Sequence, residues 1–212
     1  MISSTNIKNW ASGNSSIVLD SIHKKEVNIA IYERDVSALE KEIDGLIERD
    51  FELRLSGDIK NLTDTISLEE ELTECPQLRS DILALLEQFE KVTSASDFRL
   101  YLATIKSNMC RKFHTDINDL RMLCTYRGPG TLWLTEDNIN RESEDCCDDD
   151  DCLVIEKSKI QQTKEGSVVI LKGALYPKEG TSPILHRSPT IEEGGIRRLM
   201  LRIDTNEFAN LD

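Results

Sequence analysis

Histidine is the scarcest titratable side chain in this sequence, with three in 212 residues: His23, His114 and His186. So few imidazoles confine metal ligation or proton transfer by histidine to very few places. Basic residues are short as well, 26 Lys and Arg against 39 Asp and Glu, for a formal net charge of -13. No basic stripe offsets that balance, which argues against a nucleic-acid partner. No apolar run approaches the roughly 20 residues of a membrane helix, so no membrane partner is expected. The first residues, "MISSTNIKNWASGNSSIVLDSIHKK", lack a basic stretch followed by an apolar run, and no secretory signal is visible. The six cysteines are irregularly spaced and do not read as a disulfide framework, so a reducing, cytoplasmic setting is expected. Cys110 and Cys124 lie in strand-like apolar stretches and read as small buried thiols. No serine or cysteine nucleophile has a convincing base, which argues against a Ser-His-Asp hydrolase. "YRGPGTLWL" has too few glycines at the wrong spacing for a phosphate loop; it reads as a tight turn between two strands.

What is present is an ordinary globular composition, 39% hydrophobic and 31% charged, enough for one generous domain or a core domain with a subdomain. Residues 1–26 read as a flexible arm rich in Ser, Asn and Lys. Residues 27–96 read as mostly helical. A short strand covers Val27 to Tyr32, Asp35 is suited to cap a helix carrying Leu39, Ile43, Leu46 and Ile47, and Pro76 opens a second helix. Leu78, Ile82, Leu85, Leu86 and Phe89 form one face of that second helix. After Ser96 the period changes: Phe98, Leu100 and Leu102 alternate with Arg99 and Tyr101. Short apolar runs follow at Leu120–Tyr126, Thr131–Leu134, Leu153–Ile155, Val168–Leu171, Ile184–Leu185 and Leu199–Ile203, punctuated by Gly and Pro. The expected fold class is α+β, with residues 97–212 a β-sandwich or barrel.

The chemistry concentrates in "FHTDINDLRMLCTYRGPGTLWL" and "PILHRSPTIEEGGIRRLMLRID". On a strand, residues two apart project to one face, so His114 and Asp116 can reach one ion together. His186, 72 residues further on, can return beside them on a late strand of a barrel. Two imidazoles and a carboxylate make a facial set that suits iron(II) and leaves positions open. The plain alternative is a polar strand end or turn. Arg197 and Arg198 open the last apolar strand, where a guanidinium entering the barrel could hold a dicarboxylate; taken alone, the pair reads more plainly as a solvated strand start. Alternation groups Arg197 with Leu199 and Leu201, and Arg198 with Met200 and Arg202; either could face inward.

These blocks, with "GSVVILKG", resemble the bacterial family of unknown function DUF1826 over nearly the whole chain. More distantly, the order His-x-Asp, His, Arg is similar to that of 2-oxoglutarate-dependent iron oxygenases. That resemblance implies a cupin-like double-stranded β-helix covered by an N-terminal helical section, with His114, Asp116 and His186 binding Fe(II). It also implies that Arg197 or Arg198, 11 and 12 residues after His186, holds 2-oxoglutarate. Tyr126 could reach the cosubstrate from a neighbouring strand, although a tyrosine ending an apolar strand is more often core with a wet hydroxyl, and the substrate would be a small molecule or peptide. The competing expectation is a zinc-binding or homeostasis module on the same barrel. "ESEDCCDDDDC", residues 142–152, supports it with Cys146, Cys147 and Cys152, although a solvated acidic loop is the plainer reading. Trp133 reads either as core or as the lip of a pocket.

Overall fold

Alternating side chains in two long strands, Asp97–Ile105 and Arg198–Thr205, organise the chain by giving it a sheet with two different faces. The computed structural model describes residues 8–143 and 150–205. Within them the strands are β1 (Trp10–Gly13), β2 (Ile29–Tyr32), β3 (Glu52–Asp58), β4 (Asp97–Ile105), β5 (Leu120–Arg127), β6 (Leu132–Trp133), β7 (Gln161–Gln162), β8 (Val168–Lys172), β9 (His186–Arg187) and β10 (Arg198–Thr205). Seven form a sheet in the order β1-β2-β8-β5-β10-β4-β3, and three form a small sheet, β7-β6-β9. Pairing is antiparallel except between β1 and β2. The architecture is mixed α/β on one large sheet.

One face of that sheet carries Leu100, Leu102, Met122, Cys124, Leu199, Leu201 and Ile203. Against it pack α1 (Glu40–Glu48), α2 (Ile59–Leu68) and α4 (Pro76–Thr93), with the one-turn α3 (Glu70–Thr73) between them. Asp35 accepts the Ser37 amide at 2.8 Å ahead of α1, and Asp58 caps α2 by accepting the Asn61 amide at 2.7 Å. Pro76 stands in the first turn of α4, and Ser94, at φ 54°, ends that helix in the left-handed region. The opposite face presents Ile29, Ile31, Leu123, Val169, Leu171 and Met200 to Trp133 and Ile184 of the small-sheet side. Trp133 is core: it is 3% exposed, with its ring 5.6 Å from that of Trp10.

The structure partitions the chain differently from the expected arm, helical section and β-domain. Residues 10–23, expected to be loose, supply β1 and a 3-10 helix (Ser16–His23) whose Leu19 and Ile22 are fully buried. His23 is fastened there by Tyr176 Oη at 3.0 Å and the Val92 carbonyl at 2.8 Å. The section 27–96 contributes β2 and β3 to the main sheet, so strands from all three segments share it. Leu153–Ile155 is not a strand. Leu153 ends a one-turn helix (Asp150–Leu153), and Val154 makes a single bridge to Ile139. Ile184 and Leu185 precede β9 rather than form it. Cys124 is buried as expected, but Cys110 is exposed. Cys152 is disulfide-bonded, which removes it from the expected set of metal-binding thiols; Cys146 and Cys147 lie outside the described residues. No helix among the described residues is long and apolar enough to cross a membrane.

Candidate metal centre

His114 and His186 are brought together by their own backbones. Each amide donates to the other residue's carbonyl at 3.0 Å, a single antiparallel bridge that extends the small sheet beyond β9. The rings lie 4.7 Å apart. His114 Nδ1 is 3.0 Å from the Lys112 carbonyl and His186 Nδ1 is 3.3 Å from the Ile184 carbonyl. A carbonyl can only accept, so these contacts place the proton on Nδ1 and leave each Nε2 with its lone pair. Both Nε2 atoms turn to Asp116: 3.6 Å from His114 to Oδ1 and 3.2 Å from His186 to Oδ2. Asp116 lies on an irregular segment rather than a strand, and its own carbonyl is held by the Ala174 amide at 2.8 Å. The three expected residues thus come together, although through a bridge and an irregular segment instead of one strand face.

The set fits a divalent cation. One potential ligand atom from each residue lies within 4.8 Å of the others. Two ligands about 2.1 Å from one ion at right angles stand ~3 Å apart, close to the observed Nε2–carboxylate spacings. Asp116 Oδ2 is buried with no hydrogen-bond partner among the described residues, a costly state for a carboxylate oxygen unless something positive meets it. Burial pushes the Asp116 carboxyl up, but the hydrogen bonds that His114 and His186 would donate once their rings take up a second proton, with the charges of His186 and Arg121, outweigh it and hold the group well below the usual carboxylate range. Hydrogen bonding to Asp116 chiefly raises His114.

Arg121 and Asp204 stand behind the carboxylate. Arg121 Nη1 is 2.6 Å from Asp116 Oδ1, while its Nε and Nη2 donate to Asp204, the latter at 3.3 Å. Asp204 also accepts Asn118 Nδ2 at 3.1 Å. Neither residue was expected from sequence. Arg121 falls inside the apolar run Leu120–Tyr126, where its inward direction shows only once the pairing partner β10 is known.

Strand alternation separates the two arginine candidates. Arg197 turns away and pairs with Asp50 beyond α1. Arg198 lies with Met200 and Arg202 on the triad side and is 1% exposed. It donates to Thr125 Oγ1 at 3.1 Å and touches Met200 Sδ at 3.9 Å; Met200 in turn lines a cavity of about 50 Å³ with His114, His186 and Arg202. No carboxylate meets Arg198 among the described residues, and burial alone pulls its guanidinium down to about 10. Gly128, at φ +90°, allows this packing, since a Cβ there would stand 2.8 Å from Arg198 Cγ. Tyr126 does not reach the site. It lies on the helix-covered face with Met122 and Cys124, donating its hydroxyl to Asp81 at 2.6 Å. Its neighbour Thr125 points to the opposite face, where its hydroxyl accepts the hydrogen bond from Arg198.

The profile of DUF1826, a family of proteins of unknown function, matches residues 13–204. The chain belongs to the DUF1826 family. A search of curated proteins finds no match. Among solved structures, the DUF1826 chain is similar to the dioxygenase for auxin oxidation 1 of Arabidopsis thaliana in its 2-oxoglutarate complex. The TM-score is 0.52 at 10% identity, over 93% of this chain and 92% of that one. It is also similar to a full-length Neurospora crassa protein in complex with alpha-KG and 5-formyluracil, with TM-score 0.50 at 10% identity, over 93% and 83%. At such identity the likeness establishes a shared fold.

Proposed function

We propose that this DUF1826 protein is a non-haem iron(II)- and 2-oxoglutarate-dependent oxygenase on a cupin-like double-stranded β-helix, acting on a small molecule or peptide. The observation that carries the reading is Arg198, a buried guanidinium with no carboxylate partner among the described residues, on the same sheet face as the His114–Asp116–His186 cluster. An uncompensated buried charge is expensive, and a bound dicarboxylate is what would offset it. The fold shared with a 2-oxoglutarate complex supports the same assignment.

His114, Asp116 and His186 would hold the iron, with Asp116 the anionic ligand and the Nδ1–carbonyl contacts keeping both imidazoles turned inward. Arg198 and Thr125 would grip the distal carboxylate of 2-oxoglutarate, the first by charge and the second by its hydroxyl. Iron with 2-oxoglutarate supplies the oxidising chemistry, and the barrel positions a substrate C–H bond. A zinc-binding module would use the same three ligands but gives Arg198 nothing to do.

The test is conversion of 2-oxoglutarate to succinate by anaerobically iron-loaded protein after oxygen is admitted. Slow uncoupled turnover is expected in wild type. Arg198→Gln should retain iron and bind 2-oxoglutarate at least about tenfold more weakly, the loss of one charge-assisted contact. Wild-type protein that loads iron but neither binds nor consumes 2-oxoglutarate would refute the assignment.

A further inference from the structure

Beyond the triad, the same face of the main sheet runs out toward its edge strand β3, where Glu52, Arg54 and Ser56 are exposed. Cross-strand register sets the side chains in rows. Arg54 stands opposite Tyr101 and Tyr101 opposite Arg202; Ser56 stands opposite Arg99 and Arg99 opposite Asp204. Both flanking guanidinium groups lie against the Tyr101 ring, Arg54 Cζ at 4.1 Å and Arg202 Cζ at 5.3 Å from its centroid. Arg54, Arg99, Arg202 and Tyr101 line a cavity of about 360 Å³, and Arg202 also borders the smaller cavity that holds His114 and His186. One guanidinium therefore faces both spaces.

Three arginines converging here contrast with a chain whose net charge is -13. Arg54 and Arg202 are incompletely neutralised. Glu52 takes Arg54 Nε at 2.7 Å, but both side chains are more than half exposed, and such pairs contribute about 0–1 kcal/mol. Arg202 Nε stands 3.2 Å from Asp204 Oδ2 without hydrogen-bonding geometry, since Asp204 is already taken by Arg121 and Asn118. Tyr101, 8% exposed, supplies a rigid wall that keeps the two flanking guanidinium planes in place. The arrangement suits a ligand with an oxyanion: its acidic group in the outer cavity, the rest of it reaching past Arg202 toward the triad.

We infer that the molecule acted on at the triad is a small anionic compound whose carboxylate or phosphate group is held by Arg54, Arg99 and Arg202. What becomes of that compound rests on the oxygenase reading; the binding of its acidic group does not. An otherwise acidic surface repels anions, so this cradle also selects where such a ligand can enter.

The test uses metal-free protein, with inorganic phosphate and malonate as probes, followed through the arginine Nε–Hε resonances. Malonate is titrated into Arg198→Gln, so that the proposed 2-oxoglutarate grip does not contribute. Saturable shifts of the Arg54 and Arg202 signals are expected. A response to phosphate alone assigns a phosphate-bearing substrate, to malonate alone a carboxylate, and to both an oxyanion of either kind. Arg54→Gln combined with Arg99→Gln, both on the exposed rim, should weaken binding about tenfold or more, equivalent to ~1.4 kcal/mol, with the melting temperature and the affinity for 2-oxoglutarate unchanged. Absence of saturable binding by either probe, or equal binding by the double variant, overturns the proposal. If the probes bind as expected but wild type never consumes 2-oxoglutarate, only the oxygenase reading falls.

Discussion

At the scale of single residues, the candidate site is a line of polar groups, the two imidazoles followed by the alternating charges of Asp116, Arg121, Asp204 and then Arg202. Arg121 holds both Asp116 and Asp204, so substitutions separate by where they cut the line. Asp116→Ala removes the one anionic ligand and leaves two neutral imidazoles. Arg121 keeps Asp204, so the fold should survive while iron affinity falls by more than the ~10–100-fold typical of losing an outer partner. Iron retained after anaerobic desalting, read beside circular dichroism, checks this; full occupancy in the variant would mean the ligand set is mistaken. Arg121→Leu cuts further back. It strips the main counter-charge from Asp204, whose side chain is 3% exposed, and should lower stability by about 3–5 kcal/mol in urea unfolding. Pairing it with Asp204→Leu should recover much of that loss, because the stranded Asp204 charge is gone and only Asp116 still misses its contact with Arg121. If the double variant is no better than the single one, the Arg121–Asp204 pair is not what the single change breaks.

At the scale of elements, legibility followed periodicity. The second long helix showed in Leu78, Ile82, Leu85, Leu86 and Phe89, and β4, β5, β8 and β10 showed as apolar runs. The histidine pair and Asp116 were legible because so few imidazoles left little choice. β3 was missed because "ELRLSGD" has only Leu53 and Leu55 to alternate with charged and small residues, and an edge strand needs no more than that. The first strand and the 3-10 helix were missed because Ser and Asn surround the two side chains that matter, Leu19 and Ile22. Tyr126 could be read either as core or as a cosubstrate contact because β5 is buried on both faces, and a continuous apolar run does not reveal which way each residue points. Leu19→Ala distinguishes the two views of residues 1–26. As part of the core its cost should be about 2–5 kcal/mol in chemical denaturation, whereas a flexible arm would give a change within ~0.5 kcal/mol.

At the scale of the whole molecule, the candidate ligands join parts of the chain that are far apart in sequence and already tied by neighbouring contacts, among them the Ser188 amide on the Cys110 carbonyl at 3.1 Å. His114 and Asp116 belong to the irregular segment leading into β5, whereas His186 opens β9, after β5, β6, β7 and β8 have intervened. The two backbone hydrogen bonds between His114 and His186 form the bridge, and a bound cation would add three bonds across the same junction. An ion that binds only this folded arrangement stabilises it by mass action, about 2.7 kcal/mol at a free concentration 100 times the dissociation constant. For a chain of this length each kcal/mol moves the melting temperature by roughly 2–4 °C, so the expected rise is about 5–10 °C. Manganese(II) is a suitable probe, being a divalent ion with similar ligand preferences that does not oxidise during a thermal scan. Wild-type protein should show the rise, lose it on adding a chelator, and regain it when the ion is restored in excess. Asp116→Ala and His186→Ala should melt at the same temperature with and without manganese, while Arg54→Gln, outside the ligand set, should respond as wild type does. An equal rise in all of these variants would place the cation elsewhere on this acidic chain, and the triad would lose its claim to be the metal centre.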